Sequence, residues 1–379
     1  MKSIRIPFNK AYQTGFELKY IQQAVQENHI SGDGNFTQKC QSWLEEHLNV
    51  PKALLTTSCT HALEMAAFLL NIQPGDEVIL SAFTFVSTAN AFAIRGARPI
   101  FVDIRPDTLN LDENQLDHLV SPRTRAIIAM HYAGIGCEMS TILEIAQRHQ
   151  IAVIEDNAHG LFGKYQDKYL GTFGSLATQS FHETKNISCG EGGALLINDL
   201  KFIERAEILR EKGTDRSRFF RGQVDKYTWV DFGSSYLPSD ILAAFLFAQL
   251  EAYQEIQFKR KTIWETYFRE FGNWARENDI RLPFVPENCQ QPYHLFYLLL
   301  PDLASRQALI EHLKQREIYA VFHYIPLNLS HMGRTFGGRP GSCPISENIS
   351  DRLVRMPFYT GLIPAEQNEV IEAVYQFRV

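Results

Sequence analysis

Hydrophobic and polar positions change period along the chain, and the changes outline its elements. Residues 15–29 carry apolar side chains at helical spacing, and Ser31-Gly-Asp-Gly34 forces a turn after them. From Ala53 the pattern alternates. Ala53–Thr57 reads as a strand, Cys59–Leu70 as a helix, Glu77–Leu80 as a strand and Phe83–Ile94 as a second helix. Pro99–Asp103, Ala126–Met130 and Ile151–Glu155 are short apolar runs between polar segments, with a helical pattern at Met139–His149. Strands alternating with helices predict an α/β fold whose largely parallel sheet is covered on both faces. After about Leu250 the texture changes. Glu251–Asn278 predicts one long helix, His294–Leu300 a strand, Ser305–Glu317 a helix, Tyr319–Phe322 a strand and Glu366–Phe377 a final helix. The expected division is a large α/β domain over residues 1–250 and a smaller α+β domain over residues 251–379.

Composition narrows the function. Of 379 residues, 45% are apolar and 21% charged, enough to build a sizeable core. The formal net charge of −6 argues against a broad basic footprint for nucleic acid or an anionic membrane. Lys2, Arg5 and Lys10 are not followed by an apolar stretch, so the start does not read as a secretory signal. The longest uncharged run, Val78 to Ile94, contains Ser81, Thr84, Ser87, Thr88 and Asn90, and reads as a buried strand leading into a helix rather than a membrane span. Cys40, Cys59, Cys137, Cys189, Cys289 and Cys343 are scattered without a C-x-x-C pair. A reduced, cytoplasmic protein with neither disulfides nor a metal site is expected.

Three segments carry residues suited to chemistry. In Thr57-Ser-Cys-Thr-His-Ala-Leu63 a strand runs into hydroxylic residues where a helix begins. The free N–H groups and positive dipole end of that helix make an anion site, to which Ser58 and Thr60 could add hydroxyls; a plain helix cap is the alternative. In Ile151–Gly160 an apolar strand delivers Glu155 and Asp156 to its carboxyl end, where open α/β sheets hold their ligands, and His159 follows. A carboxylate there needs a cation or hydrogen-bond donor to stay ionised. Ser180-Phe-His-Glu-Thr-Lys-Asn186, followed by Gly190-Glu-Gly-Gly193, places Lys185 just before the apolar run Ala194–Ile197. Lysines are ordinarily solvated charges. A phosphate cradle, then a buried aspartate, then a lysine is nevertheless the order expected for pyridoxal 5′-phosphate (PLP) held as a Schiff base.

With these segments, and with Leu55–Thr60, Thr84–Phe92, Phe219–Trp229 and Phe322–Leu327, the chain resembles the DegT/DnrJ/EryC1/StrS sugar aminotransferase family over nearly its whole length. Within it, the likeness is greatest to the branch that makes dTDP-4-amino-4,6-dideoxy-D-galactose from dTDP-4-dehydro-6-deoxy-D-glucose, for enterobacterial common antigen or O-antigen synthesis. The resemblance implies the fold type I (aspartate aminotransferase-like) architecture, PLP as cofactor, L-glutamate as amino donor and a homodimer with its sites at the subunit interface. It also implies roles. Lys185 would carry the cofactor and move the proton between the substrate carbon and cofactor C4′, while Asp156 would keep the pyridine nitrogen protonated. Phe85 would stack on the ring and His159 lie beside it, and Cys59, Thr60 and Ser180 would contact the phosphate.

Two departures stand out. Many relatives carry G-x-N-Y-R, whose Asn reaches the partner subunit's phosphate; here Gly233-Ser-Ser-Tyr-Leu237 puts Ser235 in its place and Leu237 in that of the Arg. Pro326-Leu-Asn328 stands where P-L-H is common, which bears on the sugar contact. The competing readings are the same chemistry on a UDP-linked keto sugar or at C3, and a non-catalytic PLP-binding regulator. The sugar dehydratase branch has histidine in place of its lysine, and Lys185 is present here. A dinucleotide site is not supported, because Gly134-Ile-Gly-Cys-Glu-Met139 ends in Met where a glycine is needed.

Overall fold

The computed structural model describes residues 4–378. Seven strands form the central sheet: β1 (Lys52–Thr56), β2 (Glu77–Ser81), β3 (Arg98–Val102), β4 (Thr124–Met130), β5 (Ala152–Asp156), β6 (Leu176–Ser180) and β7 (Gly193–Ile197). Their spatial order is β1-β7-β6-β5-β4-β2-β3. β7 runs antiparallel to both β1 and β6, and the other neighbours pair parallel. The large, mixed and mostly parallel sheet read from the sequence is borne out.

Alternation along each strand divides the core. Val78, Leu80, Ala126, Ile128, Leu195 and Ile197 pack under the helix Cys59–Leu69 on one face. Their neighbours Ile79, Ile127, Ala129 and Val153 pack under Met139–His149 on the other. Ala53, Leu55, Ala194 and Leu196 meet the helices Asn35–Leu48 and Asp240–Glu251. A separate apolar cluster joins Ile6 to Tyr267, Phe271, Phe296, Leu298, Leu309, Val354 and Val370. Among the described residues, no helix is long and apolar enough to cross a membrane.

Several elements differ from expectation, each for a physical reason. Asp240–Glu251 is apolar on nearly every side and shows no stripe, so its period is invisible. Its first residue caps the other unexpected helix: the Asp240 carboxylate accepts from the amides of Phe36 (3.2 Å) and Thr37 (2.7 Å). The expected single helix over 251–278 is broken at Ala252, and the long helix is Tyr253–Glu277. Tyr319–Phe322 is not a strand; Val321 alone pairs, with Arg355. The expected strand 294–300 shortens to Tyr297–Leu299, paired antiparallel with Leu353–Arg355.

The site is positioned by register. Gly193, the first residue of β7, lies opposite Thr56 of β1 on one side and Ser180 of β6 on the other. The carboxyl ends of β1, β5 and β6 therefore open on one edge of the sheet, where α/β folds bind ligands.

Candidate active site

A cavity of about 590 Å³ opens at that edge. Cys59, Thr60, Phe85, Asp156, His159, Ser180 and Lys185 all line it, together with Thr88, Glu191, His294, His323, Tyr324 and Arg355. Ser235 is not brought there. It is exposed in a segment whose backbone bridges to Glu211, away from this chain's cavity.

One wall is the start of the helix Cys59–Leu69. Ser58 caps it, its hydroxyl accepting from the His61 amide at 3.1 Å. The cap does not exclude an anion site, because among the described residues the Cys59 and Thr60 amides donate to no backbone or side-chain acceptor. The Thr60 hydroxyl lies 2.8 Å from that of Ser87, inside the same wall. Burial pushes the Cys59 thiol up to about 12, with Asp156 acting in the same direction, so Cys59 stays protonated. Gly193 makes this wall possible, since a Cβ there would come within 2.4 Å of both the Cys59 nitrogen and the Ser58 carbonyl carbon. Gly193→Ala should cost about 1–3 kcal/mol of stability and weaken PLP binding together. Thermal denaturation and cofactor titration of the variant check this.

Asp156 is 5% exposed at the end of β5. Its carboxylate accepts from the Thr88 hydroxyl at 2.7 Å and the Ala158 amide at 3.2 Å, the donors its ionised form requires. Thr84 in turn lies 2.9 Å from Thr88. Glu155, one residue earlier, faces away from the cavity. It is held by His131 Nε2 (3.0 Å) and the amides of Gly171 (2.6 Å) and Gly174 (2.8 Å), which is a structural role.

His159 stacks on His294, ring centroids 4.2 Å apart, and its Nδ1 is buried without a partner. Burial, reinforced by Lys185, drives His159 well below the usual histidine range, so it is a neutral ring at physiological pH. Lys185 is half-buried. Burial lowers its amine from 10.5 to about 8; Cys59 and Asp156 oppose the shift and Arg355 adds to it. Above about pH 8 the amine is therefore neutral and nucleophilic, and below it is protonated. Uptake of PLP by the apoenzyme should accelerate as pH rises through about 8 and then level off, whereas an ordinary lysine would keep gaining to beyond pH 10. The rate at which the visible absorbance of lysine-bound cofactor appears, measured against pH, checks this.

Sequence reasoning missed Thr88, His294 and Arg355. Thr88 had a local signal, a hydroxyl one helical turn after Thr84; the other two had none. It also left open Asn328, which the structure removes from the cavity wall. Asn328 is fully buried and donates to Glu347 Oε1 (2.8 Å) and Ser342 Oγ (3.1 Å), so it ties down the loop 339–347. Among the described residues no cluster of His, Cys, Asp or Glu could hold a metal ion.

An amide-rich helix start suits a phosphate, a hydrogen-bonded aspartate suits a protonated ring nitrogen, and a lysine of lowered basicity suits an aldehyde. PLP presents all of these, and the fold and the cavity together define a PLP-dependent aminotransferase. The chain belongs to the DegT/DnrJ/EryC1/StrS aminotransferase family, whose sequence model matches residues 12–375. It is 30% identical over 369 residues to the spore coat polysaccharide biosynthesis protein SpsC of Bacillus subtilis, covering 94% of this chain and 93% of that protein. It is also 30% identical over 372 residues to the GDP-perosamine synthase of Caulobacter vibrioides, covering 96% of each. A Streptococcus pneumoniae relative solved in its PLP form is 25% identical, with a TM-score of 0.89 over 97% of both chains. The activity is sugar amination, drawing on an amino donor and a keto sugar nucleotide.

Proposed function

We propose that this enzyme transfers the amino group of L-glutamate to C4 of dTDP-4-dehydro-6-deoxy-D-glucose, giving dTDP-4-amino-4,6-dideoxy-D-galactose for a surface polysaccharide such as enterobacterial common antigen or O-antigen. The observation that carries the chemistry is the Lys185 amine sharing one cavity with Asp156. The choice of sugar rests on the segments Thr84–Phe92, Phe219–Trp229 and Phe322–Leu327.

In this reading residues 1–250 hold the cofactor, and residues 251–379 close over it with His294, His323, Tyr324 and Arg355. The amides of Cys59 and Thr60 and the hydroxyls of Thr60 and Ser180 bind the phosphate. Asp156, oriented by Thr88, keeps the proton on the ring nitrogen. Phe85 covers the ring, and neutral His159 lies beside it. When bound, PLP supplies the electron sink that lets an amino group be stored between two half-reactions. Lys185 Nζ takes the proton from the donor's α-carbon and delivers it to C4′, and runs the transfer in the opposite sense for the sugar C4.

The functional unit in this reading is a homodimer in the cytoplasm. Phe220, Tyr227, Trp229, Val230 and Phe232 are each at least half exposed in one chain, an apolar stretch that a partner copy would cover. Ser235 lies beside it and would reach the partner subunit's phosphate.

A second reading keeps the chemistry and changes the nucleotide, because relatives along nearly the whole chain are named GDP-perosamine synthases. Incubation with L-glutamate and a panel of dTDP-, UDP- and GDP-linked keto sugars, with the product assigned by NMR, separates them. An axial C4 amine on the dTDP sugar is expected. An equatorial amine, amination at C3, or a preference for the GDP- or UDP-linked sugar would overturn the first reading.

A further inference from the structure

The strand Leu353–Arg355 ends at the cavity with an arginine that has no counter-ion. Its backbone is held on both sides, with Val321 donating to the Arg355 carbonyl (3.1 Å) and the Arg355 amide to the Val321 carbonyl (2.7 Å). Its guanidinium lies over the Phe8 ring, 4.5 Å from the centroid. Its Nε is buried without a partner, and among the described residues no carboxylate stands within ion-pair distance. Arg260, also buried, shows the contrast: its nitrogens donate to the carbonyls of Tyr293 and His294 and to the Thr360 hydroxyl. A guanidinium withdrawn from water and left unpaired inside a cavity is poised for an anion that arrives from outside.

Its position says which anion. The Arg355 charge acts on Lys185, His159, His323 and Tyr324, whereas Cys59, in the anion wall, responds to Asp156 and Lys185 instead. Arg355 therefore sits with the reacting amine and apart from the phosphate cradle. Two anionic substrates alternate in this site. In a nucleotide sugar the diphosphate hangs from C1, across the ring from the reacting C4, so its charge is remote from Lys185 when C4 is in place. In an amino acid the α-carboxylate is bonded to the very carbon that bears the transferred nitrogen. A cation beside Lys185 fits the second. Lys185 and Arg355 are the lysine and arginine that line the cavity, and Lys185 is occupied by the chemistry.

We propose that Arg355 anchors the α-carboxylate of the amino donor, gripping it bidentately while Phe8 fixes the plane of the guanidinium. The proposal rests on the aminotransferase reading of the site but not on the identity of the sugar.

The test uses the PLP-loaded enzyme and its Arg355→Lys and Arg355→Met variants. The donor half-reaction is followed by absorbance with L-glutamate and with L-alanine. The acceptor half-reaction is followed with the pyridoxamine form and whichever keto sugar the wild type accepts. Arg355→Met should raise the apparent dissociation constant of both donors by roughly ten- to a hundredfold, the range of a hydrogen bond to a charged group. Arg355→Lys should recover part of the loss. Calorimetric binding of 2-oxoglutarate to the pyridoxamine form, read without turnover, should weaken in parallel. The acceptor half-reaction should change by less than about threefold. Unchanged donor and 2-oxoglutarate affinity, equal weakening of both half-reactions, or an effect confined to dicarboxylic donors would each overturn the assignment. PLP occupancy and melting temperature confirm that the variants fold. Failure of the wild type on every dTDP sugar would refute the proposed substrate while leaving this comparison intact.

Discussion

Lys185→Ala is expected to lose turnover by about ten-thousandfold or more and to lose the visible absorbance of lysine-bound cofactor. The size of the effect follows from one nitrogen serving two purposes. Nζ is the attachment point for the cofactor aldehyde and the base that moves the proton between substrate carbon and C4′. No second lysine lines the cavity to take over either task. The half-buried setting that brings Lys185 down to about 8 also keeps bulk amines from substituting freely. Cofactor binding should weaken but persist, since the Cys59–Thr60 amides and the Asp156 carboxylate remain. Spectra of the purified variant and a glutamate half-reaction measure both effects. Full activity in Lys185→Ala would remove the basis of the proposed chemistry.

Asp156→Asn should bind PLP and still slow both half-reactions by about a hundred- to a thousandfold. The substitution keeps shape and hydrogen-bonding capacity towards Thr88 and Ala158 but removes the charge that holds a proton on the ring nitrogen. An unprotonated ring is a weaker electron sink, so proton removal from the donor carbon becomes harder while binding is little affected. The measurement is a pair of single-turnover rates, donor with the PLP form and sugar with the pyridoxamine form. Unaltered rates would show that Asp156 is a structural residue like its neighbour Glu155.

These expectations depend on residues whose placement was legible to different degrees. Ser58–Thr60 and Asp156 could be read because each follows an apolar run, and a strand's end in an α/β sheet is a functional address. Lys185 gained weight only from their company. The choice between a helix cap and an anion site at Ser58 was a false one, since the cap uses the Ser58 hydroxyl and leaves the Cys59 and Thr60 amides free. Asp240 capping the helix Asn35–Leu48 was beyond reach, because no local pattern ties residue 240 to residues 36 and 37. Arg355 belongs with it. In sequence it is one polar residue at the end of Leu-Val-Arg, and only the pairing with Val321 and the Phe8 ring turns it towards the cavity.

By itself the sequence determined the alternation of strands and helices, the mostly parallel sheet, and the residue types that suit PLP. Those are local properties, written in periods of two and 3.6 and in what lies at the end of each apolar run. The tertiary structure alone decided which of those residues meet. Inserting antiparallel β7 between β1 and β6 sets the anion wall and Ser180 on either side of Gly193. Folding residues 251–379 back over that edge adds His294, His323, Tyr324 and Arg355. Strand order and domain closure depend on contacts between residues far apart in the chain, and no local period encodes them.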